Sequence, residues 1–245
     1  LNLDPWAVEY PFSVKPDKKV GVKDLMAIKR DHYEGTEFDL TKGPAAGPFG
    51  NPNRYATPGT LGEWERAISI FRCSYVVVLQ ARANMPAGIG SVIWFGEDAP
   101  HSTCYMPIYA GATSLPESFT VGSRATFGRD SAWWAFNHVS NYVDLKYSYM
   151  IKDVQALQAK FEGEALAMQP AIEQAALDLY KVDPKLAMQF LTNYSNANAE
   201  KVVAAWWQLA DDLAVKYQDG YVNLKTAGYP DEWLKSVGFR KLTRQ

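Results

Sequence analysis

Apolar residues recur at Val22, Leu25, Met26 and Ile28 in VKDLMAIKR, a spacing that predicts one short helix over residues 22–30. The pattern then breaks. HYEGTEFDLTKGPAAGPFGNPNRY, from His32 to Tyr55, contains three prolines without backbone donors, Pro44, Pro48 and Pro52, and three permissive glycines, Gly43, Gly47 and Gly50. It reads as a long ordered loop, either functional or a plain surface connection. After Ala67, SYVVVLQAR and SVIWFG are runs of β-branched and aromatic residues separated by the turn-prone NMPAGIG, which predicts a hairpin. The unbroken VVVL suggests a strand covered on both faces, although a short apolar run also suits a buried helix. YMPIYA and SFTVG are candidate short strands among Pro100, Pro107 and Pro116.

From about Asn141 the period changes to that of helices. Leu145, Tyr149, Val154, Leu157 and Phe161 fall at steps close to three and four before Pro170, where the helix is expected to be interrupted. Val202, Trp206, Leu209, Leu213 and Tyr217 repeat the pattern, with Gly220 as the cap. Strands followed by helices predict an α+β layered fold rather than alternating βαβ units. No internal repeat or low-complexity linker divides the chain. Residues 1–140 are expected to form a loop- and strand-rich part, and residues 141–245 a helical region packed on the same domain.

Composition narrows the function. The 245 residues are 47% hydrophobic and 13% aromatic, enough for a real core, and no stretch approaches the roughly 20 apolar residues of a membrane span. A formal charge of −2 with scattered lysines and arginines argues against a nucleic-acid partner. The N-terminus LNLDPWAVEY is unlike a signal peptide, but a signal could have been removed, so the sequence leaves the compartment open between cytoplasmic and lumenal or secreted; in the lumenal case Asn193 in NYS is a glycosylation acceptor. Leu1 in place of methionine marks a mature product, a processed subunit or a fragment.

Conspicuous catalytic motifs are missing: there is no G-x-S-x-G, P-loop, G-x-G-x-x-G after a strand, or H-E-x-x-H. Cys73 and Cys104 are read as buried thiols, and HSTC (101–104) has no second ligand pair, so no metal or other cofactor is expected. Arg66 and Arg72 flank AISIF, where they either bind a carboxylate or pair with Glu63, Glu65 or another acid. Trp133 and Trp134 offer aromatic surface, with at least one of them in the core, and Trp206 and Trp207 read as packing on a helix face.

Long runs in one order carry a family resemblance: RDHYEGTEFDLTKGPAAGPFGNPNR, EWERAISIFRCSYVVVLQAR, GIGSVIWFGEDAPHSTCYMPIYAG, SAWWAFNHVSN, YMIKDVQALQAKFE and YQDGYVN. They resemble the C-terminal half of the dipeptidase A family, cysteine peptidases of the N-terminal-nucleophile hydrolase class. The resemblance implies part of a four-layer αββα sandwich, a dipeptide substrate, and a cysteine whose own α-amine accepts the thiol proton. It also implies a homo-oligomer and an N-terminal half, absent here, that carries the nucleophile. Leu1 has no nucleophile and both cysteines are interior, so this chain by itself is expected to be inactive.

The segment ERAISIFR is similar in character to one in which the related bile-salt hydrolases and penicillin acylases place an active-site arginine, and by that resemblance Arg72, with Arg66 in reserve, is carried over as an arginine of the catalytic site. The loop bearing Gly47, Gly50 and Arg54 becomes the substrate-pocket rim. Two other readings stand beside this one: a hydrolase of non-peptide amides, and a non-catalytic binding or structural subunit of the same fold.

Overall fold

The computed structural model of the chain describes residues 4, 7 and 9–240, so the expectations attached to Leu1 lie outside the described residues. The architecture is α+β, with six α-helices and a three-stranded antiparallel sheet in the order β1-β2-β3 among the described residues. In chain order the elements are α1 (Val22–Lys29), β1 (Tyr75–Ala81), α2 (Ala87–Gly90), β2 (Ser91–Glu97), β3 (Met106–Tyr109), α3 (Ala132–Val143), α4 (Tyr147–Val182), α5 (Pro184–Lys216) and α6 (Asp231–Ser236).

The hairpin is present, with Leu79 opposite Ile93 and Val77 opposite Phe95. Pro107 lacks an N–H, and β3 accommodates it as an edge strand. SFTVG is not a strand. Glu117–Phe119 form a 3₁₀ turn after Pro116, closed by Phe119 N–H to Pro116 O (3.0 Å) and by the Thr120 hydroxyl to Glu117 O (2.9 Å). Such local bonds compete with strand pairing.

Burial alternates along the sheet, contrary to a strand covered on both faces. Val76, Val78, Val92 and Trp94 are buried on one face, whereas Tyr75, Leu79 and Ile93 are exposed on the other, Leu79 at 70%. The buried face joins Met26 of α1, Ala165 and Ala176 of α4 and Leu191 of α5 in one apolar cluster. A second cluster unites Cys104 and Met106 with Phe136, Val154, Phe161, Val202 and Trp206. Helices and strands thus share both cores.

Pro170 does not end the helix: α4 runs through it for 36 residues. An interior proline removes a hydrogen bond and costs about 3 kcal/mol, but the sheet grips the helix just beyond it. Arg82 donates to Glu173 at 2.7 and 2.5 Å, and the same carboxylate accepts from Gln169 (2.7 Å) and the Tyr109 hydroxyl (3.3 Å). The chain turns instead at Asp183, whose carboxylate caps Lys185 N–H at 2.9 Å before Pro184 opens α5.

Candidate functional site

The proline- and glycine-rich loop is ordered by a ladder of local bonds. Arg54 donates through its Nη atoms to the carbonyls of Asn51 (2.9 Å), Asn53 (3.0 Å) and Leu40 (2.7 Å), which ties the two ends of the loop together. Asn51 and Asn53 reach Asp144, at its carbonyl (3.0 Å) and at Oδ1 (2.7 Å). Ser148 N–H at the start of α4 donates to Phe49 O (2.9 Å). Gly47 and Gly50 both have φ of 64°, the left-handed region that glycine enters without strain.

The five residues singled out from the sequence divide between two clefts. Arg54, Arg66 and Arg72 line a cavity of about 170 Å³ with Leu40, Asn53 and Trp64. Gly47 and Gly50 line a separate groove of about 590 Å³, bounded by Phe49, Tyr147, Ile151 and Trp233. Within the first cavity the arginines differ. The guanidinium of Arg54 is engaged with loop carbonyls, and burial pulls its pKa down. Arg66 and Arg72 are exposed and have no ion pair among the described residues, so neither is paired with Glu63 or Glu65. The backbone of Arg66 is fixed by the Tyr33 hydroxyl, which donates to its carbonyl at 2.5 Å.

Phe71 and Arg72 also line a second cavity of about 170 Å³, together with Cys73, Asp98, Arg124, Trp133, Asn137 and Asp144. Arg72 therefore stands on the wall between two polar clefts. The acids of the second cleft are perturbed. Burial raises the carboxyl pKa of Asp144 to about 6 and that of Asp98 upward, while Ala99 N–H, Asn137 and Ser140 favour the charged Asp98. Cys73 is no activated nucleophile, because burial and then Asp98 push its thiol pKa up; burial lifts that of Cys104 well above the ordinary value. Among the described residues, no group of three or more His, Cys, Asp and Glu side chains is placed to hold a metal ion. No helix there is long and apolar enough to cross a membrane.

Sequence reasoning missed Asp98, Arg124, Asn137 and Asp144. Asp98 had one legible signal, two successive acids closing an apolar strand in SVIWFGED. Asn137 and Asp144 carry no such mark, since only the packing of α3 behind β2 brings them to the cleft. Trp133 lines the cleft, whereas Trp134 donates its indole N–H to the carbonyls of Ser123 and Thr126, both at 2.9 Å. Both are half-buried, and Trp206 is fully buried in the core.

The sequence model of peptidase family C69 matches residues 1–160. The chain is 22% identical over 200 residues to "Probable dipeptidase A" of Streptococcus pyogenes, covering 82% of this chain and 40% of that protein. It is 23% identical over 223 residues to "Probable dipeptidase B" of Lactococcus lactis, covering 91% of this chain and 42% of that protein. It is 24% identical over 159 residues to "Dipeptidase A" of Lactobacillus helveticus, covering 65% of this chain and 30% of that protein. The chain thus spans less than half the length of these curated relatives.

Proposed function

The chain belongs to peptidase family C69, and from that membership we propose that it is the part of a cysteine dipeptidase that shapes the substrate cleft. The observation that carries the reading is Arg72, an exposed guanidinium without an ion pair on the wall shared by two polar cavities. A dipeptide presents a terminal carboxylate, and a planar guanidinium binds that group at two points. Arg72 is the principal arginine of the site and Arg66 supports it from the adjoining wall. Arg54 holds the rim in shape, and the loop at Gly47 and Gly50 forms its outer edge. Residues 1–140 supply the sheet and cleft loops, and residues 141–245 the helical region of the same domain.

The nucleophilic cysteine, on this reading, belongs to polypeptide outside the chain. Two observations support that. Cys73 and Cys104 both have raised thiol pKa values, and the outer sheet face leaves Tyr75, Leu79 and Ile93 exposed, as a second sheet of an αββα sandwich would require. The test is hydrolysis of unblocked dipeptides by the full-length dipeptidase and by residues 1–245 alone. Activity is expected only in the former, with kcat/KM reduced about tenfold or more by Arg72→Lys and less by Arg66→Lys. Alkylation-sensitive turnover by residues 1–245 alone would overturn the placement of the nucleophile. Wild-type kcat/KM in both variants would overturn the role of the arginines. Cleavage of non-peptide amides in preference to dipeptides would overturn the substrate class.

A further inference from the structure

The second cleft carries an acid that the reading above does not use. Asp98 is 2% exposed and holds φ of 61°, a left-handed conformation that few non-glycine residues adopt. The surroundings impose it. Asp98 N–H donates to Ser74 O at 2.9 Å, and the segment that follows is pinned carbonyl by carbonyl. Arg30 donates to Pro100 O (3.3 Å) and Thr103 O (3.0 Å), Gln158 to His101 O (2.9 Å) and Thr103 O (2.7 Å), and Trp206 to Ser102 O (3.0 Å). Backbone strain held in place by this many contacts collects at ligand sites.

The carboxylate itself is half satisfied. Oδ1 accepts from Asn137 Nδ2 at 3.0 Å, and Ala99 N–H and Ser140 lie near enough to favour the charged form, whereas Oδ2 is buried with no donor in hydrogen-bond geometry. Leaving a buried carboxylate oxygen unpaired is strongly unfavourable, so such an atom marks a place where a donor belongs. Two cations line the same cavity, yet neither supplies it. Arg124 lies over the Trp133 ring, 5.6 Å from its centroid, and neither Arg124 nor Arg72 forms an ion pair among the described residues. Asp144, whose Oδ1 accepts from Asn53 (2.7 Å), differs from Asp98 in having no carboxylate oxygen that is both buried and unpartnered.

We propose that this cleft binds a protonated primary amine, with Asp98 Oδ2 as the acceptor and the arginine wall facing the opposite, anionic end of the same ligand. A small cavity with an unpaired buried carboxylate and an unpaired guanidinium matches a zwitterion. Given the dipeptidase reading, on which the identity of the ligand rests, the amine is the free N-terminus of the dipeptide and the carboxylate end lies toward Arg72. This arrangement selects substrates at both ends. A blocked N-terminus loses the charge-assisted bond and leaves Asp98 buried with nothing to answer it, a penalty of about tenfold to a hundredfold in affinity.

The experiment compares L-alanyl-L-alanine with N-acetyl-L-alanyl-L-alanine by calorimetry on residues 1–245 and by inhibition and turnover in the full-length dipeptidase. The wild type is expected to bind the free dipeptide about tenfold or more tightly than the acetylated one. Asp98→Asn, which keeps the acceptor for Asn137, is expected to abolish that preference by weakening binding of the free dipeptide and relieving the penalty on the acetylated one. Equal wild-type affinity for the two peptides, or no binding of either, overturns the proposal. That comparison needs no variant, so it holds even if Asp98→Asn fails to fold. The two readings separate cleanly: dipeptide turnover without amine preference removes the Asp98 site alone, whereas amine-selective binding without turnover removes the dipeptidase reading alone.

Discussion

Arg82, just beyond β1, meets Glu173 of α4 through two parallel bonds, Nη1 to Oε2 at 2.7 Å and Nη2 to Oε1 at 2.5 Å. Glu173 is 4% exposed and also accepts from Gln169 and Tyr109, so it fixes the half of α4 beyond Pro170 against the sheet. Removing one partner strands a buried charge. Arg82→Met is expected to lower unfolding free energy by about 3 kcal/mol, and Arg82→Met with Glu173→Met to recover much of that loss. Urea unfolding of the single and double variants measures it. Additive losses in the double variant would show that the pair does not act as a unit.

The two rim glycines are both expected to resist substitution. Both have φ of 64°. At Gly47, where ψ is −173°, the backbone adopts a conformation that is essentially restricted to glycine, and at Gly50 a Cβ would lie 3.1 Å from Thr41 O. Gly47→Ala and Gly50→Ala are therefore each expected to destabilise by about 1–3 kcal/mol in thermal melts, and a neutral substitution at either site would contradict the rim geometry.

Two buried groups titrate in opposite senses. Burial, then His32, lowers the pKa of His101 to about 3, so between about 6.5 and 3 the unfolded chain binds a proton that the folded chain refuses. Stability contributed by His101 thus falls as pH falls, by up to about 1.4 kcal/mol per unit. Burial, then Asp98, raises Glu97 to about 7, so the folded chain keeps a proton that the unfolded one releases above about 4.5, and stability falls as pH rises toward 7. His101→Gln is expected to flatten the acid limb of a urea-midpoint profile, and Glu97→Gln the limb between pH 5 and 7. Variant profiles parallel to the wild type would refute both assignments.

The hairpin, the short first helix and the two long helical stretches were legible because their periodicities are local. Pro170 misled because a proline signals a break unless tertiary contacts hold the helix, and Arg82, 88 residues earlier in the chain, is invisible to any window around it. Arg54, Arg66 and Arg72 stand out in the sequence as charges in unusual surroundings, but only the fold separates the one engaged with loop carbonyls from the two without an ion pair among the described residues. Asp98 escaped notice because its importance lies in an unpaired oxygen and a left-handed backbone, neither of which has a composition.

The outer face of the sheet gives the sharpest separation between this chain and a longer enzyme. Leu79 and Ile93 are cross-strand partners at 70% and 38% exposure, beside Tyr75 at 60%. Covering an apolar face of this kind adds stability, since each side chain moved out of water contributes about 1.5–3 kcal/mol. In residues 1–245 alone, Leu79→Lys replaces an exposed side chain with another and is expected to change stability by less than about 0.5 kcal/mol. On the proposal that further polypeptide supplies a second sheet over this face, the same lysine in the complete protein would be buried, and a loss of about 3 kcal/mol or more is expected from lost apolar burial and an unpaired charge. Hydrogen exchange of the β1 and β2 amides should slow in the same comparison, because covering the face suppresses local opening of the hairpin. Equal effects of Leu79→Lys in the two proteins would mean that the face stays open, which would overturn the proposed second sheet.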